Sequence, residues 1–182
     1  LQGLLGGVNA HYHSEPSGFY GLNLAAWLPY NLSRMWHMQL ALFFVSASFL
    51  AMGIFLAPMI ARREPKYQAA LALALFGALV LVVLGSLAGE AAGIRDDIKL
   101  SGPWFWLGTQ GWEYLDLGRF WQILLIVGMV LWLVILIRGL RVRLAVEHPG
   151  NLPWLFLYRA ISIPLFSAAG IDFWNNNSYA VV

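Results

Sequence analysis

The sequence predicts an all-α fold, a polytopic membrane helix bundle, and three observations support this prediction. Hydrophobic residues make up 60% of the 182 residues and charged residues only 11%, whereas soluble domains are about half apolar and a quarter charged. Four stretches reach the roughly 20 mostly apolar residues that a membrane helix requires. Cation-rich turns follow two of these stretches, as is typical of multi-pass membrane proteins.

The order of spans and turns also indicates an orientation. The predicted spans are residues 32–60, 69–92, 117–137 and 152–171, and residues 1–8 would end a preceding span. Pro58 and the cationic turn 62–66 bound the first span, and the third ends in the cationic stretch 138–143. Because cations favour the cytoplasmic side, both turns are predicted to face the cytoplasm. The segments 10–31 and 93–118 would then lie on the outer side.

Composition and termini limit the possible functions further. The chain contains no cysteine, which excludes disulfides, thiolate metal sites and cysteine nucleophiles. Its formal net charge is only +2, so nucleic-acid binding has no support, and membrane lipid is the expected surrounding. The chain starts at Leu1 without signal-peptide features, and we therefore expect an internal fragment. The sequence does not predict an oligomeric state.

The most informative motif is formed by Arg34 and His37 at the start of the first predicted span. The two residues are three apart, so they share one helix face about one turn inside the outer surface. A neutral imidazole is a common axial ligand of haem iron, and an arginine fork can pair with haem propionates. The more ordinary alternative is that His37 hydrogen-bonds a neighbouring helix while Arg34 reaches the headgroups.

A second candidate site is the carboxylate pair Glu113 and Asp116 in the predicted outer segment. If a helix begins near Trp112, the two carboxylates share its outer face. Beside a haem edge they could hold a hard divalent cation, which prefers oxygen ligands. Without a haem, the favoured alternative is a pair of first-turn acids stabilised by the helix dipole, with Arg119 as a local partner.

Glu90 follows small residues in Gly85-Ser-Leu-Ala-Gly-Glu90, near the outer end of the second predicted span. Small residues let another backbone or a cofactor approach a helix closely. Glu90 could therefore face a polar cavity or a proton route, or it could be an interfacial carboxylate close to water. The sequence favours neither alternative.

His11, Glu15 and Phe19 recur at every fourth position of the outer segment. An imidazole hydrogen-bonded to a carboxylate could deprotonate a quinol at the membrane surface while the aromatic ring packs on the quinol head group. Pro16 and Gly18 argue against a continuous helix here. On spacing alone, a solvated polar loop is the favoured alternative.

Taken together, these segments resemble the quinol-dependent nitric oxide reductases, a branch of the haem-copper oxidase superfamily. The matching stretches occur in the family's order and cover most of the chain. They are His11-Tyr12 with Gly18-Phe-Tyr-Gly21, Trp27-Leu-Pro-Tyr30, Arg34 with Trp36-His37 and Gln39, Gly53-Ile-Phe-Leu-Ala-Pro58, Gly85-Ser-Leu-Ala-Gly-Glu90, and Gln110-Gly-Trp-Glu-Tyr-Leu-Asp-Leu-Gly-Arg119.

The resemblance implies a part of a haem-copper oxidase-like catalytic subunit in the bacterial inner membrane. Such an enzyme reduces two molecules of nitric oxide to N2O and water, with electrons that pass from quinol through a low-spin haem b. The reaction takes place at a high-spin haem b3 paired with a non-haem iron, whose ligands lie on later helices. We therefore expect no catalytic residue within this chain, and no activity of the chain by itself.

The resemblance also implies roles for individual residues. These are His37 as an axial ligand of the low-spin haem b iron, Arg34 as a partner of its propionates, Glu113 as a ligand of a calcium ion between the two haems with Asp116 behind it, and His11, Glu15 and Phe19 as the quinol-binding residues.

Two other functions remain open at this point. Residues 173–182 lack the His-Thr turn expected in typical quinol-type reductases, which leaves open the related NO dismutase that forms N2 and O2 on the same scaffold. Retention of the predicted quinol residues favours the reductase. A function of another class is a transporter or structural membrane subunit, in which His37 and Glu90 would line a polar path without a cofactor.

Overall fold

The architecture is helical throughout the part of the chain that the computed structural model describes, namely residues 1–16, 18–98, 102–109 and 117–144. An isolated bridge between Phe19 and Leu22 is the one strand-like pairing within these ranges. The predicted all-α membrane bundle is confirmed. The elements in chain order are α1 Gln2–Tyr12, a 3-10 helix Leu24–Ala26, α2 Tyr30–Ala61, α3 Gln68–Ile94, a 3-10 helix Gly102–Trp106, and α4 Arg119–Leu144.

Helices α2, α3 and α4 are each long and apolar enough to cross a membrane, judged over the described residues alone. Large apolar side chains cover their outer surfaces: Phe44 is 74% exposed, Leu73 70% and Phe55 67%. Such surfaces are stable in hydrocarbon but costly in water, so the chain is an integral, multi-pass membrane protein. The predicted span 152–171 lies outside the described residues.

Two compact units share these helices. One comprises Leu1–Ser46 and Val83–Trp121, and the other comprises Ala47–Val82 with the described residues from Gln122 onward. These are the first and the second unit, respectively. All of the predicted site residues that the structure describes belong to the first unit.

Trp132 is the centre of the second unit. Its side chain is 1% exposed, and its indole nitrogen donates to the carbonyl oxygen of Leu50 at 3.1 Å. Lipid tails are as apolar as these side chains, so close packing rather than exclusion from water holds such a core together. The other buried members of this core are Ala57, Leu75, Met129, Ile135 and Leu136.

Helix α2 ends where the cationic turn of the second unit begins. Pro58 lies inside the last turn of the helix rather than at its end, where a proline cannot donate the usual hydrogen bond and its ring crowds the carbonyl group four residues earlier. Arg62 then adopts a left-handed conformation with φ of 51°, which is a common way to end a helix. Arg138 donates to the carbonyl oxygen of Lys66 at 2.7 Å. The two cation-rich segments therefore lie together, as the positive-inside orientation requires.

A stripe of glycines on α3 receives a loop and a tryptophan in the first unit. A Cβ atom at Gly89 would lie 1.9 Å from the carbonyl oxygen of Leu107. The ring of Trp121 fills the space beside Gly85, and its Nε1 donates to the same Leu107 oxygen at 2.9 Å. The groups that approach α3 closely at these glycines are therefore the backbone of Leu107 and the indole ring of Trp121.

Helix α4 begins at Arg119, later than the start near Trp112 on which the shared face of the two acids depended. Leu117 and Gly118 are not helical. A Cβ atom at Gly118 would lie 2.8 Å from the carbonyl oxygen of Leu107, so the chain passes too close to that loop for a larger residue. The condition that α4 itself begins near Trp112 is therefore not met.

Candidate functional site

His37 packs against helix α1 in the first unit. Its Nδ1 lies 2.9 Å from the carbonyl oxygen of Gln2, and its ring rests on Gly6, where a Cβ atom would lie 2.8 Å from Cε1. A carbonyl oxygen can only accept a hydrogen bond, so Nδ1 carries the hydrogen and the lone pair of the neutral ring is on Nε2. Nε2 forms no hydrogen bond to any residue that the structure describes.

The geometry contains the more ordinary of the two interactions considered for His37, the hydrogen bond to a neighbouring helix. This bond does not exclude the other interaction, because metal-binding histidines usually make such a bond with their second ring nitrogen. Such a bond orients the ring and leaves the other nitrogen to coordinate a metal. The donor chemistry at His37 therefore fits an axial ligand of haem iron.

Arg34 lies one turn before His37 on helix α2. Its guanidinium carbon is 5.6 Å from the centroid of the Tyr30 ring, within the range of a cation–π interaction. The planar guanidinium can stack on an aromatic ring and still donate hydrogen bonds in its own plane. The Arg34 guanidinium, close to the start of α2, is therefore chemically suited to donate hydrogen bonds to a carboxylate such as a haem propionate.

His11, Glu15 and Phe19 come together beyond the end of helix α1. The Nε2 of His11 donates to Oε2 of Glu15 at 2.8 Å, and the ring centroids of His11 and Phe19 are 4.6 Å apart. The helix ends at Tyr12, in keeping with the signals from Pro16 and Gly18. The amide of Glu15 still donates to the carbonyl oxygen of His11 at 3.0 Å, and this extra turn keeps the two side chains aligned.

A tight turn places two further groups in this cluster. Phe19 and Leu22 exchange both backbone hydrogen bonds, and the two residues between them have positive φ angles, 50° at Tyr20 and 82° at Gly21. Two successive positive φ angles are the mark of a type I′ turn. The Tyr20 ring lies 4.6 Å from the His11 ring, centroid to centroid, and Tyr20 is 80% exposed.

The turn also holds the Glu15 carboxylate through its backbone. The amide of Tyr20 donates to Oε2 at 2.9 Å, and the amide of Gly21 donates to Oε1 at 3.2 Å. The hydrogen bond from His11, followed by the bond from Gly21 and then that from Tyr20, holds the pKa of Glu15 below its ordinary value. The carboxylate is therefore an ionised acceptor at neutral pH.

Glu90 is completely buried, with 0% of its surface exposed. The interpretation of Glu90 as an interfacial carboxylate close to water is therefore wrong. It lies on the same face of α3 as Ser86 and Val82, which are four and eight residues earlier, respectively, and are also buried. A carboxylic acid is costly to bury inside a membrane helix bundle unless its neighbours offer polar partners.

Glu113 and Asp116 lie outside the described residues, so the predicted calcium site stays a prediction. Arg119, which was considered as their partner, has its guanidinium carbon 6.0 Å from the centroid of the Trp106 ring. The tryptophan belongs to the aromatic segment 93–118, which the sequence predicts to lie on the outer side, and it is 45% exposed. Both features suit the membrane–water interface, where tryptophan and arginine are frequent.

The sequence interpretation missed three residues that hold these side chains in place. Gln2 contributes only a carbonyl oxygen, which no side-chain pattern reveals, and Gly6 only the absence of a side chain. Tyr20 was part of the Gly18-Phe-Tyr-Gly21 motif, and the Tyr-Gly pair between Phe19 and Leu22 is a weak signal for a two-residue turn. That signal could have placed the Tyr20 amide near Glu15.

Comparison with known proteins identifies the family of the chain. No curated protein matches the chain at a significant level. A family model described as "Cytochrome C and Quinol oxidase polypeptide I" matches residues 1–173, nearly the whole chain. The chain therefore belongs to this family of polytopic, haem-binding membrane oxidoreductases, the subunit I proteins of the haem-copper oxidase superfamily.

Proposed function

We propose that this chain forms the electron-entry part of a nitric oxide reductase that takes its electrons from quinol in the bacterial inner membrane. Membership of the oxidase subunit I family supports a haem-containing oxidoreductase. The observation that carries the finer proposal is the position of helix α1, which bears the His11 cluster at its end and contacts His37 at Gln2 and Gly6.

Helix α1 would bring the site of quinol oxidation close to the haem. Gly6, which contacts the His37 ring, precedes His11 by five residues, which corresponds to about 7.5 Å along a helix axis. Electron transfer becomes rapidly slower with distance, so a short connection of this kind favours direct transfer from quinol to haem. The sequence alone does not show that His11 and His37 lie near each other, because they belong to different helices.

In this proposal the chain holds the low-spin haem b through Nε2 of His37, and Arg34 pairs with its propionates. When bound, this haem would carry one electron at a time. The high-spin haem b3 and the non-haem iron would be held by residues outside this chain. A calcium ion at Glu113, with Asp116 behind it, would neutralise propionate charge.

The test uses the purified protein that contains this chain, supplied without oxygen with isotopically labelled nitric oxide and decylubiquinol. We expect labelled N2O and one molecule of quinol oxidised per N2O formed, because two NO and the two electrons and two protons of a quinol balance N2O and water. His37→Ala should remove the low-spin haem spectrum, whereas His13→Ala, which changes an exposed histidine outside these contacts, should not.

Two results would contradict the proposal in different ways. Labelled N2 and O2 formed without quinol consumption would identify the dismutase. A purified protein that contains no haem would exclude both enzymes and support a transporter or a structural subunit.

A further inference from the structure

The Glu15 carboxylate already accepts three hydrogen bonds within its own unit. Oε2 accepts from His11 and from the Tyr20 amide, and Oε1 accepts from the Gly21 amide. Each of these bonds stabilises the ionised carboxylate and would be weakened by protonation. Glu15 is therefore poorly suited to take a proton from a ligand.

The other member of the pair has the opposite character. Because the ionised Glu15 can only accept, Nε2 of His11 carries the hydrogen, and the lone pair of the neutral imidazole is on Nδ1. Nδ1 forms no hydrogen bond to any residue in the described ranges. The titratable side chains in contact with the His11 ring in these ranges are Glu15 and Tyr20.

We propose that His11, through Nδ1, is the group that takes the proton of a bound quinol, and that Glu15 and Tyr20 are positioning residues for it. This inference rests on the proposed quinol oxidation. In the step, the quinol O–H bond breaks, an N–H bond forms at Nδ1, and the electron pair stays on the quinol oxygen. The imidazolium that results is stabilised by the Glu15 carboxylate, which does not change its protonation state.

Tyr20 has two separable parts in this arrangement. Its backbone amide fixes Glu15, and its ring lies beside the His11 ring with most of its surface exposed. An exposed aromatic ring next to the proton acceptor offers a surface on which a flat quinol ring can stack. The left-handed backbone at Tyr20, which is uncommon for an aromatic residue, orients both parts.

The first experiment follows reduction of the low-spin haem by decylubiquinol in the complete purified protein, together with infrared difference spectra recorded on quinol binding. His11→Ala should slow haem reduction about a hundredfold or more, because it removes the general base. Glu15→Gln keeps an oxygen that accepts from Nε2 and should cost less. Because Glu15 should not take up a proton, the wild-type infrared difference spectrum should contain no carboxylic acid band that disappears in Glu15→Gln.

The second experiment separates the two parts of Tyr20. Tyr20→Gly retains the amide and suits a positive φ angle, so it should lower kcat far less than His11→Ala does. It should raise the KM for quinol about threefold to tenfold through the lost stacking. Tyr20→Phe should restore the KM. His13→Ala is the matched control, because its ring lies against Tyr30 rather than Glu15, and it should behave as the wild type.

The outcomes distinguish this inference from the proposed function. A larger loss in Glu15→Gln than in His11→Ala, or a carboxylic acid band that disappears in Glu15→Gln, would identify Glu15 as the base and overturn the inference. A wild-type protein whose haem is reduced by dithionite but not by quinol would overturn the proposed quinol oxidation itself. An unchanged haem spectrum in each variant verifies that it is folded.

Discussion

Nδ1 of His37 lies 2.9 Å from the carbonyl oxygen of Gln2, thirty-five residues earlier in the chain. The bond joins helix α2 to helix α1 and fixes which nitrogen of the ring is available to a metal. It is possible only because Gly6, one turn after Gln2, has no side chain that would displace the imidazole.

The contact at Gly6 leads to a prediction about the haem. In Gly6→Ala a Cβ atom would lie 2.8 Å from Cε1 of His37, so the ring must tilt away from its position. We expect altered low-spin haem absorption and electron paramagnetic resonance spectra. Gly7→Ala is the matched control, because nothing lies within 4 Å of its Cβ. Identical spectra for Gly6→Ala and wild type would contradict the ligand role of His37.

The glycine stripe on α3 leads to a prediction about stability. Gly89→Ala would place a Cβ atom 1.9 Å from the carbonyl oxygen of Leu107, and backbone gives way less easily than a side chain. We expect a loss of about 1–3 kcal/mol, as is typical of overpacking, measured by thermal unfolding in detergent. Gly77→Ala, on the same helix with nothing within 4 Å, should show no loss. Equal midpoints for the two variants would refute the close approach.

The buried indole of the second unit allows packing and hydrogen bonding to be separated. Trp132→Phe removes the hydrogen bond to Leu50 and should cost about 1 kcal/mol, the usual net value of such a bond. Trp132→Ala also leaves a large cavity and should cost about 3–5 kcal/mol. Chemical unfolding in mixed micelles measures both. Val127→Ala, at a position that is 57% exposed, should be within about 0.5 kcal/mol of the wild type.

The Glu15 cluster should respond to acid in a defined direction. The pKa of Glu15 is lowered in the folded protein, mainly by the hydrogen bond from His11. The contribution of ionised Glu15 to the stability of the folded cluster is therefore complete at pH values above the pKa of Glu15 in the unfolded chain. This contribution is lost as the pH falls through the pKa of Glu15 in the folded protein.

Hydrogen exchange of the Tyr20 and Gly21 amides, corrected for intrinsic rates, measures this response. Protection should be present at neutral pH and should decrease as Glu15 becomes protonated. In Glu15→Gln the protection should no longer change over that acidic range. Protection in the wild type that is independent of pH would show that the carboxylate does not hold the turn.

Local signals in the sequence account for the elements of the fold. The long apolar stretches predict membrane helices because a backbone in lipid must satisfy its hydrogen bonds internally. The cationic turns predict which ends lie together, and Arg138 and Lys66 are in contact as expected. The early break after α1 was likewise indicated by Pro16 and Gly18. The predicted span 117–137 also agrees with the start of α4 at Arg119. What these signals could not show was the close approach of Gly118 to the carbonyl oxygen of Leu107.

The sequence by itself determined that this chain is a helical membrane protein, and its motifs indicated which imidazoles and carboxylates could carry chemistry. Only the tertiary structure decided which nitrogen of His37 and of His11 carries a hydrogen. Their acceptors are the Gln2 carbonyl oxygen and the Glu15 carboxylate. The physical reason is that a tautomer depends on the partner of the ring, and one partner is a backbone atom on a different helix. The other is a carboxylate that a turn of the backbone holds in place.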